Sequence, residues 1–231
     1  MPAQPRKPLA ENFALSTERL GPLPLVNHFI ERLGLTELLD QYVPTTDRRC
    51  ALPHALALGV LLRSIVVERE PIYREAETVH AYAASLFGLE EAQLRQLSDD
   101  RLGRALDRLY DADRAALLKT VHEIAPVFLK NPGRIEAFFT MYFFALLVQA
   151  LIERELRREM QRERLKALPI YPEEPRCARP TTEQILRLFA HAQRHTLMRA
   201  GRVVQTFEAD LTPRQQQVLE LLGVPQRAFR S

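Results

Sequence analysis

Residues 134–166, RIEAFFTMYFFALLVQALIERELRREMQRERLK, decide the fold class. Between Ala137 and Ile152 only Thr140 and Gln149 are polar, whereas from Glu153 onward the apolar residues are Leu156, Met160 and Leu165. No Gly or Pro interrupts the run, so it predicts one long helix, opened by Pro132-Gly133 and stopped at Pro169. Its charged half sets Glu153/Arg157 four apart and Glu155/Arg158, Glu159/Arg162 and Glu163/Lys166 three apart, pairs that support a solvated helix. The apolar half is hydrophobic nearly all round and demands neighbours on several sides. At a rise of 1.5 Å per residue it covers about 24 Å, short of a hydrocarbon core of about 30 Å. A buried core helix is therefore the reading adopted, and a small membrane-associated protein held by residues 137–152 is the alternative.

Working outward, the segments before this helix read as short capped helices. Pro22 and Pro24 introduce the stripe Leu25-Val26-Phe29-Ile30-Leu33, which ends at Gly34. Thr36 is placed to cap TELLDQYV, and Pro53 opens a third helix that is apolar from Leu56 to Val67 except for Arg63 and Ser64. Residues 71–95 read as less regular helix with Tyr73, Val79, Tyr82 and Leu86 inward. Ser98 caps DDRLGRALDRLY, whose Leu102, Leu106 and Leu109 form the buried face, and Asp111 caps a helix ending before Pro126. Toward the C-terminus, PIYPEEPRCARP reads as a linker, Thr181 opens an amphipathic helix, Ala200-Gly201 marks a β-hairpin, and Thr212-Pro213 start a last helix. The fold class is thus mainly α: an N-terminal helical bundle, a long apolar-then-charged helix, and C-terminal helices with one small hairpin. The expected segments are a loose lead-in (1–21), an N-terminal helical domain (22–118), a core remnant (119–168), a linker (169–180) and a C-terminal helical part (181–231).

Composition removes several function classes. Hydrophobic residues at 46% and charged residues at 26% are ordinary for a globular chain, which excludes wholesale disorder. Cys50 and Cys177 stand apart, so no zinc knuckle or disulfide framework is readable. Pro2, Pro5 and Pro8 replace any apolar signal segment at the start, and the expected compartment is the cytoplasm. No Gly-rich phosphate loop or nucleophile elbow occurs. His191 and His195 lie four apart on what reads as a helix, without a third ligand, so no metal is assigned. Asp99-Asp100 and Asp111/Asp113 sit at helix starts, where capping accounts for them. LTPRQQQVLELLGV resembles the first helix of a helix-turn-helix unit but is followed by no room for a recognition helix.

A net charge of +3 tolerates a nucleic-acid partner without requiring one. Arg48-Arg49 stand in the loop between the second and third helices, and Arg101, Arg104 and Arg108 share one helix face, interrupted by Asp100, Asp107 and Asp111. These five arginines are the candidate DNA-contacting residues, since phosphates are gripped chiefly by such side chains.

Long phrases also carry a family likeness. LGPLPLVNHFIERLGLTELLDQYVP (20–44), RRCALPHALALGVLLRSIVVEREPIY (48–73) and LSDDRLGRALDRLYDADRAALL (97–118) resemble the N-terminal domain of bacterial insertion-sequence DDE transposases of the Tyr-Arg-Glu-Lys signature branch. KTVHEIAPVFLKNPGRIEAFFTMYFFALLVQALIERELRREM (119–160) resembles the C-terminal end of the same family. The resemblance implies DNA transposition, an RNase H-like core and, in full-length members, Mg²⁺ held by two aspartates and a glutamate. Here the two phrases abut near Leu117–Thr120 and leave no room for that core. Lys119 resembles the signature lysine, and the place of its glutamate is taken by Ala112. The expectation is an internally deleted, catalytically inactive transposase with no cofactor of its own, or a DNA-binding or regulatory module derived from one. DNA with terminal inverted repeats is the expected partner. With its sheet missing, the apolar helix is also expected to expose Phe138, Phe139, Phe143, Phe144, Leu146 and Leu147 and to drive self-association or chaperone contact.

Overall fold

The computed structural model describes residues 13–46, 50–68, 72–112, 132–170 and 177–230, with the backbone alone for 73 and 132–135. The chain order is β1 (Phe13–Arg19), α1 (Leu23–Arg32), α2 (Leu35–Tyr42), α3 (His54–Val67), α4 (Glu75–His80), α5 (Glu91–Leu94) and α6 (Asp99–Asp111). Then come α7 (Pro132–Arg162), α8 (Thr182–Leu188), β2 (Gln193–Arg199), β3 (Arg202–Phe207) and α9 (Pro213–Leu222), with 3-10 turns at Ile72–Arg74, Ala84–Phe87 and Gln226–Phe229. The protein is mainly helical, with one small antiparallel sheet of order β1-β2-β3.

The long helix forms as one element and is covered by helices instead of a sheet. α3, α6, α1, α8 and α9 all pack against α7. The covered side is a single stripe of Ala137, Met141, Phe144, Val148, Ile152 and Leu156, each 0% exposed. Spacings of four, three and four along this stripe keep it on one side of a 3.6-residue helix. Leu156 and Met160 continue it into the charged half, whose outer side carries Arg157–Glu153 at 2.7 Å, Arg158–Glu155 at 2.5 Å and Arg162–Glu159 at 3.0 Å. Glu155 is itself buried, and Arg32 of α1 reaches it at 3.3 Å. The helix ends at Arg162, four residues before Lys166: Arg164 adopts φ 53° and Leu165 N–H donates to the Met160 carbonyl at 2.8 Å, closing the last turn.

These contacts correct the expected exposure. Phe144 is fully buried, Phe138, Phe139, Phe143 and Leu147 are half-buried, and Leu146 alone of the six is exposed, at 59%.

α3 is sealed more completely than α7. Leu58, Val60, Leu61 and Leu62 are each 0% exposed, so both sides of the helix face protein. Its one charge is accommodated rather than expelled. Arg63 Nε donates to Asn27 Oδ1 at 2.7 Å and Nη1 to the Gly59 carbonyl at 2.9 Å, while Asn27 Nδ2 donates to the Leu86 carbonyl at 2.8 Å. Burial pushes the guanidinium pKa down, opposed by the carboxylate of Glu31.

Local signals account for most element starts. Ser98 Oγ accepts from the Arg101 N–H at 3.3 Å, and Thr181 and Thr212 each form a capping box, with Gln184 and Gln215. Thr36 does not cap: Gly34, at φ 63°, precedes a helix that already begins at Leu35. The linker expected at 169–180 is drawn together at its ends, where Leu168 and Cys177 pair as an isolated bridge. The lead-in expected at 1–21 contains strand β1, which pairs along its whole length with β2, from Phe13↔Arg199 to Arg19↔Gln193.

Three elements meet where β1 ends. Arg19 bridges to Glu68 at 3.1 Å, lies over the Tyr82 ring at 4.4 Å, and donates to the Ala190 carbonyl at 3.3 Å. Tyr82 also donates its phenolic O–H to Glu68. Gly21 sits at φ 54° directly beneath, and a Cβ there would approach the Tyr82 ring to 2.7 Å. One buried apolar cluster runs from Leu20 to Phe229 across all the segment boundaries read from sequence.

Because α3 and α7 share that core, Leu61→Asp should unfold the whole chain. A buried unpaired charge costs several kcal/mol against a total of about 5–15 kcal/mol. Phe144→Ala should cost about 3–5 kcal/mol without changing the fold. Urea denaturation followed by circular dichroism checks both, and an unshifted midpoint in either variant contradicts the core described.

Candidate nucleic-acid interface

The basic surface begins with α6. Leu102, Ala105, Leu106 and Leu109 are buried against α3 and α7, so the opposite side must face water. Arg104 and Arg108 are exposed there and Arg101 is half-buried. Local bonds hold two of them: Arg101 Nη2 donates to Gln96 Oε1 at 2.8 Å, and Arg104 Nε to the Asp100 carbonyl at 3.2 Å.

α6 packs on α3, and the electrostatics of α6 extend to His54, a residue that nothing in the sequence alone singles out. His54, the first residue of α3, has its pKa pushed below the ordinary imidazole value by partial burial, then by the charges of Arg108 and Arg104. The first turn of α3 has no acidic residue to offset the positive end of this 14-residue helix. His54 N–H is held by Thr45 Oγ1 at 2.8 Å, which ties the helix start to the segment that follows α2. The exposed guanidinium groups of Arg104 and Arg108 can pair with a phosphate.

Arg48, Arg49, Lys119 and Asp113 lie outside the described residues. Ala112, at the expected glutamate position, directly follows α6. Asp99 and Asp100 are in the first turn of α6, where Asp99 Oδ1 accepts from the Asp100 N–H at 2.9 Å, and Asp111 is its exposed last residue. His191 and His195 do not share a helix. His191 follows α8, and His195 lies in β2 with Nδ1 2.8 Å from Thr17 Oγ1. Among the described residues no three His, Cys, Asp or Glu side chains are grouped to hold a metal ion.

A second polar cleft, of about 360 Å³, lies between Arg19, Glu68, Tyr82, Gln149 and Arg187. Its arginines are engaged internally, Arg19 with Glu68 and Arg187 with Glu183 at 3.0 Å. The burial that lines this cleft, with the hydrogen bond and charge of Glu68, raises the Tyr82 pKa, and Arg19 opposes the shift. This constellation ties elements together.

Residues 15–123 match a family model described as a domain of unknown function (DUF4277). The matched span takes in most of β1 and all of α1 to α6, and so contains the whole arginine row. No curated protein and no solved structure matches the chain.

The histidines make a pH prediction. His28 is also lowered, by burial and by Arg32, with Glu31 opposing. With a folded pKa below the unfolded value of about 6.5, the unfolded state binds more protons as the pH falls, so stability declines below that value and levels off beneath the folded pKa. Denaturant midpoints measured from neutral to mildly acidic pH should fall, and His28→Gln with His54→Gln should flatten that fall. An unaltered pH slope in the double variant contradicts the assignment.

Proposed function

We propose that this chain is an internally deleted insertion-sequence transposase that keeps a DNA-contacting helical domain and lacks strand-cleaving chemistry. The observation that carries the reading is the exposed pair Arg104 and Arg108 on the outer side of α6, a helix whose inner side is fixed against α3 and α7. Phosphate contacts of this kind position a protein on a duplex and give salt-dependent affinity with little sequence preference. The resemblance of residues 20–118 to transposase N-terminal domains supplies the partner class, with terminal inverted repeats as the natural duplex. Arg101 continues the row along α6, and Arg48 and Arg49, which precede α3 in sequence, are proposed as further contacts.

In this reading the chain neither cuts nor joins DNA, because Ala112 stands where the glutamate of the signature would precede Lys119. No cofactor is assigned to it, whereas full-length members of the resembled family would use Mg²⁺. The compartment proposed is the cytoplasm. α7 is long and apolar enough to cross a membrane over Glu136–Arg162, yet its buried stripe forms the protein core, which favours the core-helix reading over membrane association.

Fluorescence anisotropy with a terminal-repeat duplex and a scrambled duplex tests the DNA contact. Arg104→Ala and Arg108→Ala should each weaken binding to both sequences and reduce the salt slope by about one unit. Affinity and slope unchanged in both variants would remove this surface. Separately, the purified chain should leave supercoiled plasmid intact with Mg²⁺ or Mn²⁺, and nicking abolished by Asp111→Ala would show a working active site.

A further inference from the structure

The exposed large apolar side chains gather on the small sheet. Phe13, Leu15, Val203, Val204 and Phe207 are all more than 40% exposed, and beyond them only Tyr110 and Leu146 stand out among the described residues. β3 is exposed at every position and forms an edge of the sheet, whose main packing is strand on strand. The register Leu15↔Leu197, Thr17↔His195 and His195↔Phe207 puts Phe13, Leu15, Leu197 and Phe207 on one face, since directly paired residues point the same way. A sheet of three strands needs its apolar face covered, and exposed edges are ordinarily blunted by lysine, proline or a bulge. β3 has neither lysine nor proline, and its bulge, at the register shift beside Leu197 and Met198, carries the apolar Val204.

Charge indicates what covers it. Arg202 stands at the hairpin tip, where Ala200 and Gly201 turn the chain at φ 50° and 77°. Glu208 and Asp210 stand just past the opposite end of the same strand. They border a cleft of about 610 Å³ with Leu15, His195 and Phe207, which combines two carboxylates with apolar walls, the setting that accepts an arginine stem and its head. A strand positive at one end and negative at the other complements itself when turned antiparallel. Nucleic acid would instead meet Glu208 and Asp210 as like charges.

We infer that a second copy of this chain docks on the sheet about a two-fold axis, with Arg202 of each copy entering the Glu208/Asp210 cleft of the other. The contact is isologous: each copy supplies both tip and cleft. Apolar cover over Phe13, Leu15 and Phe207, which share one face, supplies affinity, and the two ion pairs fix direction and register. The inference is independent of DNA binding, whose residues lie on α3 and α6.

Light scattering on the full chain over a concentration series should show a monomer–dimer equilibrium. Arg202→Glu and Glu208→Arg, both on exposed positions, should each weaken it about tenfold or more while leaving the circular dichroism melt unchanged. An equal mixture of the two variants should recover dimer, because each then offers the charge the other lacks. Phe207→Ser should weaken dimerisation in either background. A wild-type chain that stays monomeric overturns the proposal. So does a dimer indifferent to both charge reversals but dissolved by Leu146→Ser, which would move the contact to α7. Loss of DNA affinity in Arg202→Glu with the dimer intact would assign the tip to nucleic acid instead.

Discussion

The fold depends on how the apolar stripe of α7 is removed from water. A helix with Phe144, Val148, Ile152 and Leu156 on one side has no stable existence alone in solvent, and here α3 and α6 take that side. Each of these partners solves its own problem in the same contact. α3 is apolar nearly all round and needs cover from several directions, while α6 is a narrow amphipathic helix that needs one inward face. The three form a helical layer that supplies the neighbours which the apolar half of α7 demands. Two of the buried charges are tied into that layer, Arg63 through Asn27 and Gly59, Glu155 through Arg32 and Arg158.

The candidate DNA face is a consequence of this packing. Burying Leu102, Leu106 and Leu109 leaves α6 only one orientation, and the arginines at positions 104 and 108 are turned outward by it. The same helices pack against each other, and the charges of Arg108 and Arg104 help to lower the His54 pKa at the start of α3. A substitution deep in the layer would therefore disturb the basic surface through geometry, without touching a charge.

Elements with local causes were legible in the sequence. Ser98, Thr181 and Thr212 announce their helices because a cap acts within four residues, and the Ala200-Gly201 turn announces its hairpin in the same way. Strand β1 was not legible, because its partner is remote: Thr17 meets His195 at a separation of 178 positions. The alternation Phe13-Ala14-Leu15-Ser16 was its one local sign. His191 and His195 were misplaced for a related reason, since α8 stops at Leu188 and the chain enters the sheet. The arginine row on α6 was readable from its period, whereas His54 joins it only through tertiary contact between α3 and α6.

Native-state hydrogen exchange resolved by residue tests the central claim most directly, that α3 and α7 share one cooperative core. Amides of Leu58–Ile65 and of Met141–Leu156 should exchange with the same free energy, equal to that of global unfolding. Exchange through α7 that is orders of magnitude faster, with α3 still protected, would mean that the long helix is only loosely attached and that the helical layer described here does not hold it.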